Sequence, residues 1–163
     1  MKGIEKLQFE YQFLRKGGLS HIGGSAGPIR KNYLHWKGCF IGPKKTPFEG
    51  GLYFIEMKFT EKYPNEKPKV RMRTKIWHPN IAEDTGEICV DYIKANWNSE
   101  NNVLGIVDTV FDLLEKPNFN SKLNTKCNKE TFEKTVIEYK NKYAFQNQEY
   151  EWNDWDGKYN KIY

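Results

Sequence analysis

GGLYFIEMKFTEKYPNEKPKVRMRTK, residues 50–75, sets the architecture. Beyond the Gly50-Gly51 turn, Tyr53, Ile55, Met57 and Phe59 alternate with Glu56 and Lys58. After an interruption from Tyr63-Pro64 to Lys67-Pro68, Val70, Met72 and Thr74 alternate with Arg71, Arg73 and Lys75. A period of two sends successive side chains to opposite faces of an extended chain, so each run predicts a strand with one apolar face. The short connection favours an antiparallel meander with its second face in water, because parallel strands need a long crossover.

Upstream, Leu34, Trp36 and Phe40 share one parity and predict a further strand, closed by a turn at Gly42-Pro43. Gly23, Gly24 and Gly27-Pro28 read as a glycine-rich connection to an opening helix. That helix, Gly3 to Arg15, has Ile4, Leu7, Tyr11 and Leu14 at helical spacing and Gly17-Gly18 to end it. Downstream, residues 77–97 lose all periodicity without becoming low in complexity, and long irregular stretches inside compact domains are usually functional.

Helical spacing returns at Val103, Val107, Val110, Phe111 and Leu114 and stops at Lys116-Pro117, since a residue before proline disfavours the α region. A last helix is predicted from an Asn128 cap with Glu130 in its first turn, carrying Phe132, Val136, Tyr139 and Tyr143 on one face. The fold class is α+β with segregated helices and strands. Residues 1–146 form the domain, and residues 147–163 form an aromatic, acidic C-terminal tail, either docked or free to bind a partner.

A chain of 163 residues fits one domain, and an aromatic content of 15% compensates for an apolar fraction of 38% in building its core. The net charge of +5 comes from 26 basic and 21 acidic side chains interleaved along the chain, a pattern that favours a solvated mixed-charge surface. A nucleic-acid groove built on Lys69, Arg71, Arg73 and Lys75 is the lesser alternative. Three cysteines without paired spacing point to a reduced, intracellular protein, cytoplasmic or nuclear. No apolar run approaches the roughly 20 residues needed to cross a bilayer, so no membrane association is expected.

Among the cysteines, Cys39 lies between strand residues and fits a core position, whereas Cys127 precedes a helix cap and is uninformative. Cys89 differs: it follows Gly86 in the aperiodic stretch, near Asn80, Glu87 and Asp91, where a nucleophile or a plain loop thiol would both fit. No Cys or His pair has zinc-site spacing, and no metal or cofactor is expected. A Cys/His hydrolase would need an imidazole beside the thiol. His78, eleven residues upstream and followed by proline, reads better as a turn residue bonded to backbone.

His78-Pro79-Asn80-Ile81, then Thr85-Gly86-Glu87-Ile88-Cys89-Val90-Asp91, then Trp97, resemble the ubiquitin-conjugating (E2) family. Ser25-Ala26-Gly27-Pro28, His35-Trp36, Gly42-Pro43, Thr46-Pro47-Phe48-Glu49-Gly50-Gly51, Tyr63-Pro64 and Lys67-Pro68-Lys69-Val70 support the match in the same order, over roughly residues 3–145. The resemblance implies a four-stranded antiparallel sheet between an N-terminal helix and C-terminal helices. It implies that an activating enzyme (E1) transfers ubiquitin to Cys89 as a thioester, and that a target lysine then attacks, normally with a ligase (E3) present.

By the same resemblance Asn80 is an oxyanion donor or a loop brace, Asp91 positions and deprotonates the lysine, and Ser121 stands at the gate. His78, Pro79 and Trp97 are structural. Lys2, Glu5, Lys6 and Phe9, with Asn65 and Asn98-Ser99-Glu100, mark the activating-enzyme and ligase surface, where Lys2 and Lys6 are retained and the others depart from the family's usual residues. Ser25 marks the sheet surface at which some members hold a second ubiquitin. The stretch from Leu123 to Ala144 is short for the family, so one short helix should be reduced or absent. A ubiquitin-like modifier, or a noncatalytic scaffold binding ubiquitin or a ligase, are the alternatives.

Overall fold

A computed structural model describes residues 2–88, 97 and 101–146. Helix α1 (Gly3–Leu14) leads through a 3-10 turn at Ser20–Ile22 into four strands, β1 (Ser25–Ile29), β2 (Asn32–Ile41), β3 (Leu52–Lys58) and β4 (Lys69–Met72). They pair antiparallel in chain order, a simple meander. Helices α2 (Val103–Glu115) and α3 (Phe132–Tyr143) follow.

The register explains the core. Trp36 stands opposite Met57, Gly38 opposite Ile55, Phe40 opposite Tyr53, and Ile55 opposite Met72, so one sheet face is a continuous apolar layer. Helix α1 adds Leu7 and Leu14 to it, and α2 adds Val103, Ile106, Val107, Val110, Leu113 and Leu114. Helix α2 begins at Asn102, whose side chain accepts the Gly105 N–H at 2.8 Å and satisfies one of the helix's orphan donors.

The glycine-rich connection around Gly27 is in fact strand β1, paired with β2. Gly27 faces α1 so closely that a Cβ there would lie 3.0 Å from the Tyr11 ring, which is why the segment looks like a loop in sequence while packing as a strand. Helix α3 starts three residues later than its Asn128 cap predicts, at Phe132. The Asn128 side chain instead accepts from the Thr131 N–H and hydroxyl, closing a turn ahead of the helix. Between α2 and α3 the described residues 116–131 contain turns and no helix.

The largest departure is on the second face of the sheet. Arg71 and Arg73, expected in water, are 1% and 0% exposed, and Glu56 is 0% exposed between them. The Arg71 Nε–H donates to Glu56 Oε1 at 2.7 Å, His35 Nε2 meets Oε2 of the same carboxylate, and Arg73 Nε lies 3.9 Å from it. Burial alone would raise the Glu56 pKa, but the His35 hydrogen bond and the Arg71 guanidinium outweigh it and hold the carboxyl below its ordinary value. A groove relying on Arg71 and Arg73 for nucleic acid therefore loses both from the surface.

Candidate active site

Trp77, His78, Pro79 and Asn80 follow the sheet into the interior and are all buried, so their backbone must find partners inside the protein. The His78 Nε2–H donates to the Leu113 carbonyl at 2.8 Å, and Nδ1 accepts the Asn80 N–H at 3.0 Å. These partners fix one neutral tautomer. Burial lowers the ring's pKa to about 4 even though the Leu113 bond acts in the opposite direction. With both nitrogens engaged, His78 has no lone pair to offer a thiol.

The Asn80 amide is fully committed. Its Nδ2 donates to the Asn118 carbonyl at 2.8 Å and to the Ser121 carbonyl at 2.7 Å, and its Oδ1 accepts the Asn118 N–H at 2.9 Å. The Pro79 carbonyl accepts from the N–H groups of Leu123 and Asn124 at 2.7 and 3.0 Å. Residues 118–124 are thus clasped onto Pro79 and Asn80. Ser121 is held through its backbone while the residue remains exposed.

From Asn80 the chain makes a small hairpin. Ile81 pairs with Ile88, the Ala82 N–H donates to the Glu87 carbonyl at 2.9 Å, and Gly86 turns with φ of +73°, a region that favours glycine. The returning arm adds to β4, the Met72 N–H donating to the Gly86 carbonyl at 2.7 Å beside an Arg71–Glu87 bridge. Asn80 immediately precedes the Ile81–Ile88 pair that closes the hairpin. Cys89, Asp91, Asn98, Ser99 and Glu100 lie outside the described residues.

The other thiols differ in setting. Cys127 is buried, and burial pushes its pKa up to about 11 despite the nearby Lys122, which makes it a poor nucleophile. Cys39 is half-buried rather than in the core, on the outer sheet face with its Sγ 3.4 Å from the Oγ of the exposed Ser25. No group of three or more His, Cys, Asp or Glu that could hold a metal occurs among the described residues. No described helix is long and apolar enough to cross a membrane.

Trp97 Nε1–H donates to the Pro64 carbonyl at 2.9 Å, and its ring lies 6.1 Å from that of Tyr63. Tyr63 leads to a residue that sequence reasoning missed, Glu10. This carboxylate accepts the Tyr63 hydroxyl at 2.8 Å and the Val103 N–H at 2.7 Å, and it pairs with Lys6 at 3.5 Å. Burial first, then Glu10, raises the Tyr63 pKa well above its ordinary value. Lys2, just before α1, and Glu5 on it are exposed, Phe9 is 68% exposed, and the half-buried Lys6 sits over the Tyr63 ring. Asn65 is exposed near the Tyr63 end of the same region.

A family model described as ubiquitin-conjugating enzyme matches residues 7–146. Ubiquitin-conjugating enzyme E2 1 of Caenorhabditis elegans is 39% identical over 103 residues, 63% of this chain and 53% of that protein. Ubiquitin-conjugating enzyme E2 3 of Arabidopsis thaliana is 33% identical over 140 residues, 82% of this chain and 91% of the relative. A solved ubiquitin conjugating enzyme E2 domain from Toxoplasma gondii superposes with a TM-score of 0.79 at 26% identity, covering 86% of this chain and 99% of that one. The chain belongs to the ubiquitin-conjugating enzyme family. It spans about half the length of the Caenorhabditis elegans relative.

Proposed function

We propose that this chain accepts ubiquitin from an activating enzyme as a thioester on Cys89 and passes it to a lysine amine of a target, working with a ligase. The observation that carries the reading is the braced turn: Asn80 ties the Ser121 loop to the base of the hairpin whose other arm runs into Cys89. In loading, the Cys89 thiolate attacks the carbonyl carbon of the ubiquitin thioester on the activating enzyme. A new C–S bond forms, the old one breaks, and the donor cysteine leaves as thiolate. Such exchange is set by thiol pKa values and access and needs no adjacent base, so the engagement of His78 elsewhere is no obstacle.

In transfer, the lysine nitrogen attacks the same carbon, Asp91 positions the amine and takes its proton, and Cys89 leaves as thiolate. Asn80 acts as a brace, because both of its N–H groups are already donated to carbonyls. A group that donated directly to the oxyanion would contribute about 2.7–4 kcal/mol to the barrier, and Asn80 would have to release one carbonyl to do so. The test is a charging assay with ATP and matched pairs of activating enzyme and modifier. A conjugate removed by thiol reductant and abolished by Cys89→Ala is expected. No adduct with ubiquitin or any ubiquitin-like modifier overturns the proposal.

A further inference from the structure

The sheet has an outer face that the site above does not use. In the strand register Lys37 stands opposite Glu56, Glu56 opposite Arg71, and Lys58 opposite Lys69, all turned away from the apolar layer. Helices α1 and α2 pack on the apolar side, Tyr11 against Trp36 and Phe111 against Phe40. Helix α3 packs at the end of the sheet, through Phe132 on Phe48 and Tyr139 on Trp77. An open antiparallel face keeps its long charged side chains in water. Here Glu56 and Arg73 are 0% exposed and Arg71 1%, whereas Lys37 and Ser25, nearer β1, are exposed. The β3–β4 half of this face is covered, and its cover is not one of the described helices.

We propose that the cover is the chain's own segment 147–163, lying across the outer face of β3 and β4. The exit point is right: the Ala144 carbonyl accepts the Leu52 N–H at 3.0 Å, so the chain leaves beside the first residue of β3. From Leu52 to Lys58 the strand runs about 20 Å, and the segment's extended reach is about 56 Å. The charges are complementary. The face gathers Lys37, Lys58, Lys69, Arg71 and Arg73 around the buried Glu56, with the exposed Glu87 bridged to Arg71 at its margin, so basic groups outnumber acidic ones. Residues 149–156, Glu-Tyr-Glu-Trp-Asn-Asp-Trp-Asp, bring four carboxylates and no Lys or Arg. Trp152 and Trp155 supply flat apolar surface for the half-buried Phe54 and for cation–π contact with the guanidinium groups. A macromolecular partner for the β3–β4 half must first displace the tail, while the Ser25 margin stays open.

Zero-length carbodiimide cross-linking of the full chain, as an equal mixture of isotope-labelled and unlabelled protein read by mass spectrometry, tests this. Expected are same-isotope links from Glu149, Glu151, Asp154 or Asp156 to Lys37, Lys58 or Lys69, reduced several-fold in full-length Trp152→Ala/Trp155→Ala. Mixed-isotope links would assign the face to a second copy and overturn the proposal. Links to it from Asp91 or Glu100 in place of the tail would overturn it too. Amide spectra of the same two proteins give an independent reading: shifts concentrated at Phe54, Glu56, Lys58 and Arg71 support the docked tail, and unchanged resonances there overturn it. Should the double Trp variant lose its helical circular dichroism, Glu151→Lys/Asp154→Lys replaces it with the same expectations.

Discussion

The Asn80 amide donates to the Ser121 carbonyl at 2.7 Å, across 41 positions of sequence, and its second hydrogen goes to Asn118 at 2.8 Å. One buried side chain therefore holds the loop after α2 against the turn that opens the hairpin to Cys89.

Removing it should be felt first as lost stability. Asn80→Ala strands two carbonyls and an N–H, and buried polar groups left unpaired cost about 1–3 kcal/mol each. Because the loop is partly exposed, we expect a total loss of about 2–4 kcal/mol, read by urea denaturation. Unchanged stability with slow lysine discharge would instead mean that the amide works on the reacting atoms.

His78 predicts an acid dependence with a definite sign. Its folded pKa, about 4, lies below the unfolded value of about 6.5, so between these values the unfolded state binds more protons. Stability is complete above that upper value and falls as pH drops toward 4, by a total on the order of 3 kcal/mol. Denaturation midpoints from pH 7 to 4 should show this slope, and His78→Asn should flatten it.

Glu56 acts in a lower window. Its carboxyl is held below the ordinary range, so its contribution is present above about pH 4.3 and is lost as pH falls through the folded value. At neutral pH Glu56→Gln leaves the Arg71 guanidinium without its buried counter-charge, and breaking such a pair costs about 3–5 kcal/mol. Urea denaturation at neutral pH measures this, and a loss below about 1 kcal/mol would mean that water screens the cluster.

Phe9 should behave in the opposite way. At 68% exposure, Phe9→Ala is expected to change stability by less than about 0.5 kcal/mol. If the α1 surface receives the activating enzyme, the KM for that enzyme in charging should rise several-fold with kcat unchanged. An unchanged KM would place the contact elsewhere.

Period and turn residues were enough to read the apolar side of the sheet, and Trp36, Phe40, Ile55 and Met57 lie where alternation puts them. Alternation could not tell a solvated arginine from a buried one, because Arg71 and Arg73 have the same parity in either case. The counter-charge that serves both, Glu56, comes from another strand and is itself bonded to His35. The brace was half legible: the motif singled out Asn80 and Ser121, but Asn118 contributes through its backbone, which no side-chain pattern records. Glu10 was hidden for a similar reason, since its partners Tyr63 and Val103 are distant in sequence.

Glu10 also separates two kinds of freedom along α1. With Leu7 and Leu14 it makes one stripe of the helix that anchors the Tyr63 loop and the first turn of α2. Glu5 and Phe9 stand exposed off that stripe. Replacing them leaves the anchored stripe untouched, so the helix can change which protein it meets without the domain having to refold around the change.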